Sequence, residues 1–325
     1  MELSHRGKPF MALAAAAEQR LRSLMGVPAN YKVLFLQGGA TQHFAQIPMN
    51  LAGPDDHADY IVTGHWGEKA VREAAPYVDA RVAATSASDN YLKLPPRDTW
   101  QLSDRAAYVH YTPNETIHGV EFHDVPDVGD VPLVADMSSN ILSEPVDVSR
   151  FGLIYAGAQK NIGPSGLVVM VIRDDLLARA GRPMANIFRY AEHAKNDSML
   201  NTPNTWGWYL AGLTFEWLEA QGGIAAMGER NKAKAALLYD AIDGSNGYYR
   251  SPVDPASRSR MNVPFTLHDS ALDADFLRES EAAGLLALKG HKAVGGMRAS
   301  LYNAVPIEAV EVLVKFMRDF AARHG

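Results

Sequence analysis

The chain has 325 residues, 47% hydrophobic and 21% charged, enough to bury a large core as one big domain with a smaller one beside it. Its 31 basic and 37 acidic residues leave a formal charge of -6, which gives no footprint for nucleic acid; with no cysteine, disulfides, thiolate metal sites and cysteine nucleophiles are excluded. No apolar run approaches a membrane span and the opening residues make no signal peptide, so a cytoplasmic protein with no membrane partner and no metal is expected.

Residues 10–25 are Ala-rich with apolar positions at helical spacing, and Gly26 and Pro28 close them, which predicts a helix. Residues 31–36 read as a buried strand running into Gln37-Gly38-Gly39-Ala40-Thr41-Gln42, with an amphipathic helix over 41–51. A strand, a glycine turn and a helix start present free backbone N–H groups and the positive end of a helix dipole, so Gly39 and Ala40 form a candidate phosphate cup. A Gly-Gly pair also closes ordinary turns, and this one has neither P-loop nor dinucleotide spacing. Residues 59–63 form the next strand, and Gly64-His65-Trp66 starts a helix on which Trp66 either packs in the core or stacks on a ligand. Strands follow at 81–84 and 106–110, and then a turn containing Thr116.

The stretch 132–171 organises the rest. Two apolar runs too short for helices read as buried strands; Asp136 closes the first and Lys160 follows the second. A carboxylate and an amine at the same end of neighbouring parallel strands fall where open α/β sheets bind ligands. The pair suits pyridoxal phosphate: the amine forms a Schiff base, and the carboxylate keeps the pyridine nitrogen protonated so that the ring draws electrons from a carbanion. The same two residues would also serve as solvated turn residues or a surface ion pair. Residues 167–172 follow Lys160 too closely for a helical crossover and must pair antiparallel. The fold class is therefore α/β, with a mixed, mostly parallel sheet between helices.

From 174 to 243 the pattern is helical with loops, and Asn201-Thr202-Pro203 reads as a helix entry with Thr202 as cap and Pro203 in the first helical position. A turn-rich boundary at 244–251 divides a large domain, 8–246, from a small α+β domain, 247–325, which residues 1–7 join. Within the latter, strands are expected at 260–267 and 297–302 and helices at 274–283 and 307–323. Arg298 lies inside an apolar strand, and a buried guanidinium wants a carboxylate that its planar fork can grip; the α-carboxylate of an amino acid is the assignment.

Asp136-Met137-Ser138-Ser139 and Tyr155-Ala156-Gly157-Ala158-Gln159-Lys160-Asn161-Ile162-Gly163-Pro164 resemble the cofactor segments of the phosphoserine aminotransferase family, within class V of the aminotransferases. The resemblance continues through Ser4-His5-Arg6, His110-Tyr111-Thr112-Pro113-Asn114-Glu115-Thr116, Asn201-Thr202-Pro203, Ser259-Arg260-Met261-Asn262-Val263 and Gly295-Gly296-Met297-Arg298-Ala299, and so spans essentially the whole chain. It implies the fold type I architecture of pyridoxal phosphate enzymes and transamination of 3-phosphohydroxypyruvate with glutamate, giving O-phosphoserine and 2-oxoglutarate. It leaves the phosphohydroxythreonine step of vitamin B6 synthesis open as a second use.

By resemblance, Lys160 is the cofactor lysine and proton carrier, Asp136 the partner of the pyridine nitrogen, Trp66 the stacker, Thr116 a donor to the phenolic oxygen and Gln159 a phosphate ligand. Asn201 and Thr202 would reach the cofactor phosphate of the other subunit, making a homodimer with composite sites. His5, Arg6, His291 and Lys292 would receive the substrate's distal anion; Lys292 departs from the arginine common in the family. The family's N-terminal stretch, with its Ser-Gly-Pro turn, has no counterpart ahead of Ser4, so a start at an internal methionine or a short gene model is expected. Two rivals stay open: another class V transaminase of the alanine–glyoxylate kind, and a truncated homologue that keeps the cofactor with little activity.

Overall fold

The Ala-rich segment forms α1 (Lys8–Met25), whose buried Phe10, Ala14, Ala17 and Leu21 recur on one face and whose end is closed by Gly26 in the left-handed region at φ 63°. In the computed structural model, which describes residues 4–179, 182–292 and 294–325, the chain continues through β1 (Tyr31–Leu36), α2 (Gly39–Leu51), β2 (His57–Val62), α3 (His65–Ala74) and β3 (Asp79–Thr85). Next come β4 (Val109–Tyr111), a short hairpin of β5 (Asn114–Glu115) and β6 (Val120–Glu121), β7 (Leu133–Asp136), β8 (Leu153–Gly157) and β9 (Val168–Arg173). The helices α4 (Asp174–Leu177), α5 (Tyr190–Lys195), α6 (Thr205–Ala220) and α7 (Gly223–Asp243) lead to β10 (Tyr249–Arg250), β11 (Asn262–Leu267), α8 (Asp273–Ala282), β12 (Met297–Ser300) and α9 (Ile307–His324).

Seven strands form one sheet in the order β1-β9-β8-β7-β4-β2-β3. Every pair from β8 to β3 is parallel, and β9 runs against both of its neighbours, as the short connection after Lys160 requires. The central strands are covered on both faces, which explains their continuous apolar runs. Leu153, Tyr155, Val168 and Met170 face Phe44 and Ile47 of α2 and Ala70 of α3. Ile154, Ala156, Val169 and Val171 face Phe10 and Leu21 of α1 and Trp208 and Phe215 of α6. Phe35 and Trp208 stack at 4.2 Å, a pair worth on the order of 1 kcal/mol beyond its burial.

A separate core lies behind the three-stranded sheet β10-β11-β12, built from Phe265, Phe276, Met297 and Phe320 together with Leu238 and Ile242 of α7. Helix α7 thus belongs to both cores, its C-terminal half serving the second.

Local boundaries differ from the sequence reading where a side chain found a better use. The strand expected at 106–110 is only Val109–Tyr111. The one expected at 260–267 begins at Asn262, because Arg260 turns aside to hold Glu121 at 2.9 Å and Glu144 at 2.5 Å. Thr202 does not cap a helix. Helix α6 starts at Thr205 with Asn204 as its cap, the Asn204 carboxamide oxygen accepting the Gly207 N–H at 2.9 Å, and Pro203 stands ahead of it. Asparagine at that position outranks threonine as a cap.

Candidate active site

The parallel strands β1, β2, β4, β7 and β8 end on one edge of the sheet, and the loops beyond them enclose a cavity of about 150 Å³ lined by Gly39, Ala40, Trp66, Thr116, Asp136, Gln159 and Lys160. The expected cofactor residues of strand ends and helix starts are therefore gathered at one place. Gly38 and Gly39 sit at φ 93° and 65°, a left-handed pair that only glycine adopts readily, and they turn β1 into α2 so that its first residues, Gly39, Ala40 and Thr41, line the cavity.

Asp136 is the last residue of β7, in register with Tyr155 on β8, and is 4% exposed. Both of its hydrogen bonds fall on Oδ1: the Ser138 N–H donates at 3.0 Å and the Ser138 hydroxyl at 2.5 Å. The Ser138 Oγ also accepts the Gly157 N–H at 3.0 Å, so one hydroxyl fixes the carboxylate and ties together the ends of β7 and β8. Burial pushes the Asp136 carboxyl up from its ordinary range, opposed by the Ser138 bonds and by Lys160.

Lys160 stands three residues beyond β8. Its Nζ donates to Thr116 Oγ1 at 2.6 Å and lies 5.9 Å from the centre of the Trp66 ring. Burial lowers its pKa to about 8, while the charges of Asp136 and Glu115 hold it up and Arg298 presses it down. An amine with that value is part-neutral near physiological pH, as a nucleophile and proton carrier needs to be. The next residue anchors the turn: Asn161 Oδ1 accepts the Asn303 N–H at 3.0 Å and its Nδ2 donates to the Ile141 carbonyl at 3.0 Å.

The helix bearing Trp66 is held by Glu115, which accepts the Trp66 N–H at 3.1 Å and the Gly67 N–H at 2.8 Å. Glu115 is fully buried, and burial raises its carboxyl to about 7 against the pull of those two N–H groups. A Cβ on Gly64 would come within 2.6 Å of the Glu115 carboxyl carbon, so glycine is required there to seat it.

The sequence profile of the aminotransferase class-V family matches residues 1–313. The chain is a member of the class-V aminotransferases. This class-V chain is 62% identical over all 325 of its residues to a phosphoserine aminotransferase of Stenotrophomonas maltophilia, covering 90% of that relative. Among solved structures it is similar to the phosphoserine aminotransferase of Bacillus circulans subsp. alkalophilus, with 49% identity and a TM-score of 0.98 over 100% of this chain and 90% of that one. The PLP-bound phosphoserine aminotransferase of Trichomonas vaginalis matches with 44% identity and a TM-score of 0.92 over 98% of this chain and 90% of that one.

The class-V chain does not gather all of the expected residues on one wall. Arg298 stands beside the cavity, within electrostatic reach of Lys160, and its Nε is buried without a hydrogen-bond partner. His291 is reached through His65, the residue before Trp66, at 6.0 Å between ring centres. Lys292 is exposed. His5 and Arg6 precede α1, where the Arg6 Nε donates to His5 Nε2 at 3.3 Å, and neither lines the cavity. Asn201 and Thr202 are exposed and off the cavity too; the Thr202 carbonyl accepts from Gln37 Nε2 at 3.3 Å.

Residues that the sequence reading passed over complete the class-V site: Ser138, Glu115 and Tyr302. The Tyr302 hydroxyl accepts from Asn262 Nδ2 at 3.1 Å and lies close to Thr116, the lysine's own partner. Ser138 had a signal in the Asp-x-Ser spacing of a side chain bonding two residues on. Glu115 and Tyr302 had none, since their partners lie far away in sequence.

Proposed function

We propose that the chain is a phosphoserine aminotransferase, which uses pyridoxal phosphate to pass the amino group of glutamate to 3-phosphohydroxypyruvate. The observation that carries this is the meeting of the Lys160 amine and the Asp136 carboxylate on one cavity, in a chain matched along its full length by phosphoserine aminotransferases. The cavity suits the coenzyme. Its wall offers an amine, a buried carboxylate and a glycine turn, and it keeps Trp66 Nε1 and Thr112 Oγ1 buried with no partner in the protein.

In this reading Asp136 holds the pyridine nitrogen, Trp66 covers the ring and excludes water, Thr116 meets the phenolic oxygen, and Gly39, Ala40 and Gln159 hold the phosphate. When bound, the coenzyme supplies an electron-accepting ring that stabilises charge at the substrate's α-carbon. Lys160 Nζ would take the α-proton of the amino donor and, in the second half-reaction, give a proton to the α-carbon of the amino acceptor, aided by a pKa near 8 that balances the two roles at neutral pH. The Asp136 carboxylate, pinned through Ser138, stays in place while that charge develops.

Arg298 takes the α-carboxylate, its unpartnered Nε being one of the donors it has to offer. His291 and Lys292, with His5 and Arg6, take the phosphate of one substrate and the side-chain carboxylate of the other. Asn201 and Thr202, exposed and off their own cavity, serve the phosphate cup of a second copy, so the working form is a homodimer with composite sites. We divide the chain at 246 and 247 into a coenzyme-binding domain and a small domain that carries His291, Lys292 and Arg298, and we place the enzyme in the cytoplasm. Among the described residues no helix is long and apolar enough to cross a membrane.

The rival of another class-V transaminase and that of an inactive homologue gain no support from the relatives found. A panel of amino acceptors offered with glutamate to the coenzyme-loaded protein tests the assignment. Phosphohydroxypyruvate should give the highest kcat/KM; preference for glyoxylate or pyruvate would overturn it.

A further inference from the structure

Three imidazoles lie around the start of α3, the helix that bears Trp66. His65 opens α3, and its ring centre lies 6.0 Å from that of His291. His118 sits in the turn between β5 and β6, its ring 5.1 Å from that of Tyr91. The Tyr91 hydroxyl donates a hydrogen bond to Glu68 Oε1 at 2.7 Å, and the Nδ1 of His118 is buried with no partner in the protein.

The charges that face this cluster are few. His65 faces His291 from the small domain and Glu68, Lys69 and Arg72 from its own helix; His118 faces His65, His291 and Glu68. The single carboxylate among them is already engaged by Tyr91, so cations are in excess. Burial first, and the neighbouring imidazoles next, hold both His65 and His118 below the ordinary histidine value. Among the described residues no group of three or more His, Asp or Glu is arranged to hold a metal ion.

We propose that His65 and His118 join His291 in one anion subsite that takes the substrate's phosphate and picks up protons as the phosphate binds. The inference rests on the phosphoserine aminotransferase reading and adds to it two residues and a source of selectivity. A doubly charged phosphate offsets the mutual repulsion of protonated imidazoles more fully than a singly charged carboxylate does, so the subsite favours the phosphorylated substrate over glutamate. In the free site the His65 and His118 rings, held below the ordinary histidine value, are largely neutral at pH 7.5; the dianion raises their affinity for protons, so binding weakens as the pH rises.

Calorimetric titration of the coenzyme-loaded protein at pH 7.5, in two buffers of different ionisation enthalpy, measures the protons taken up with O-phosphoserine and with glutamate. Wild type should take up more with O-phosphoserine. The double variant His65→Gln, His118→Gln should lose that excess and bind O-phosphoserine about 10-fold more weakly, with a much smaller change for glutamate. Resolved histidine ring signals of the unmutated protein give a second measurement: added inorganic phosphate should raise the titration midpoints of the His65 and His118 rings. Equal proton uptake and equal affinity in the double variant, or rings whose titration phosphate leaves alone, would overturn this inference while leaving the enzyme assignment standing. A wild type that binds O-phosphoserine no better than serine would overturn both.

Discussion

The carboxylate of Glu115 caps the helix that presents Trp66, receiving the Trp66 N–H at 3.1 Å and the Gly67 N–H at 2.8 Å. Two residues from the hairpin after β4 thus set both sides of the cavity, since Thr116, next in sequence, receives the Lys160 ammonium. Glu115→Gln keeps one acceptor and loses the other, and should cost about 1 kcal/mol of stability. Burial raises this carboxyl from 4.5 to about 7, so its favourable contribution is complete below about pH 4.5 and is lost as the pH climbs through about 7. Melting temperatures measured from pH 5 to 8 should therefore fall more steeply in wild type than in Glu115→Gln. Parallel curves would remove Glu115 from this role.

Asp136 is expected to act through its charge. Asp136→Asn preserves shape and the Ser138 contacts but cannot hold a protonated pyridine, and should lower kcat by about 100-fold or more with little change in melting temperature. Ser138→Ala removes the 2.5 Å hydroxyl bond and the link to Gly157, so it should lose less activity and more stability. Equal kcat in Asp136→Asn and wild type would reject the assignment.

The lowered pKa of Lys160 has a kinetic consequence. Only the neutral amine attacks the coenzyme's aldehyde, so the rate at which coenzyme-free protein takes up pyridoxal phosphate should rise with pH and level off above about 8. A midpoint near the ordinary lysine value of 10.5 would mean that the amine is not buried as described.

Lys292 offers a point charge where a guanidinium would offer a fork. Lys292→Arg should lower the Michaelis constant for the phosphorylated substrate roughly 3-fold to 10-fold, with kcat steady. An unchanged or raised constant would take Lys292 out of the phosphate site.

The sheet was legible because its strands are short, mostly apolar at the centre of the sheet and bounded by turns; even the reversal at β9 followed from the few residues between Lys160 and Leu167. Asp136 and Lys160 were readable as strand-end residues for the same reason. The α6 entry was misread because Thr202 and Asn204 are both good caps, and only the fold decides which faces Gly207. Arg260 was read as part of a strand because nothing nearby in sequence announces Glu121 and Glu144. Glu115 was hidden likewise: a buried carboxylate whose partners are backbone N–H groups 48 and 49 positions away leaves no local pattern.

For the chain to transaminate, the Lys160 amine and the Asp136 carboxylate must address the same coenzyme. Borohydride reduction of the coenzyme-loaded protein, followed by peptide mapping in a mass spectrometer, tests this at its base. The pyridoxyl group should be found on Lys160, and Lys160→Ala should carry none and show no transamination. A label on another lysine, or an undiminished label in Lys160→Ala, would contradict it.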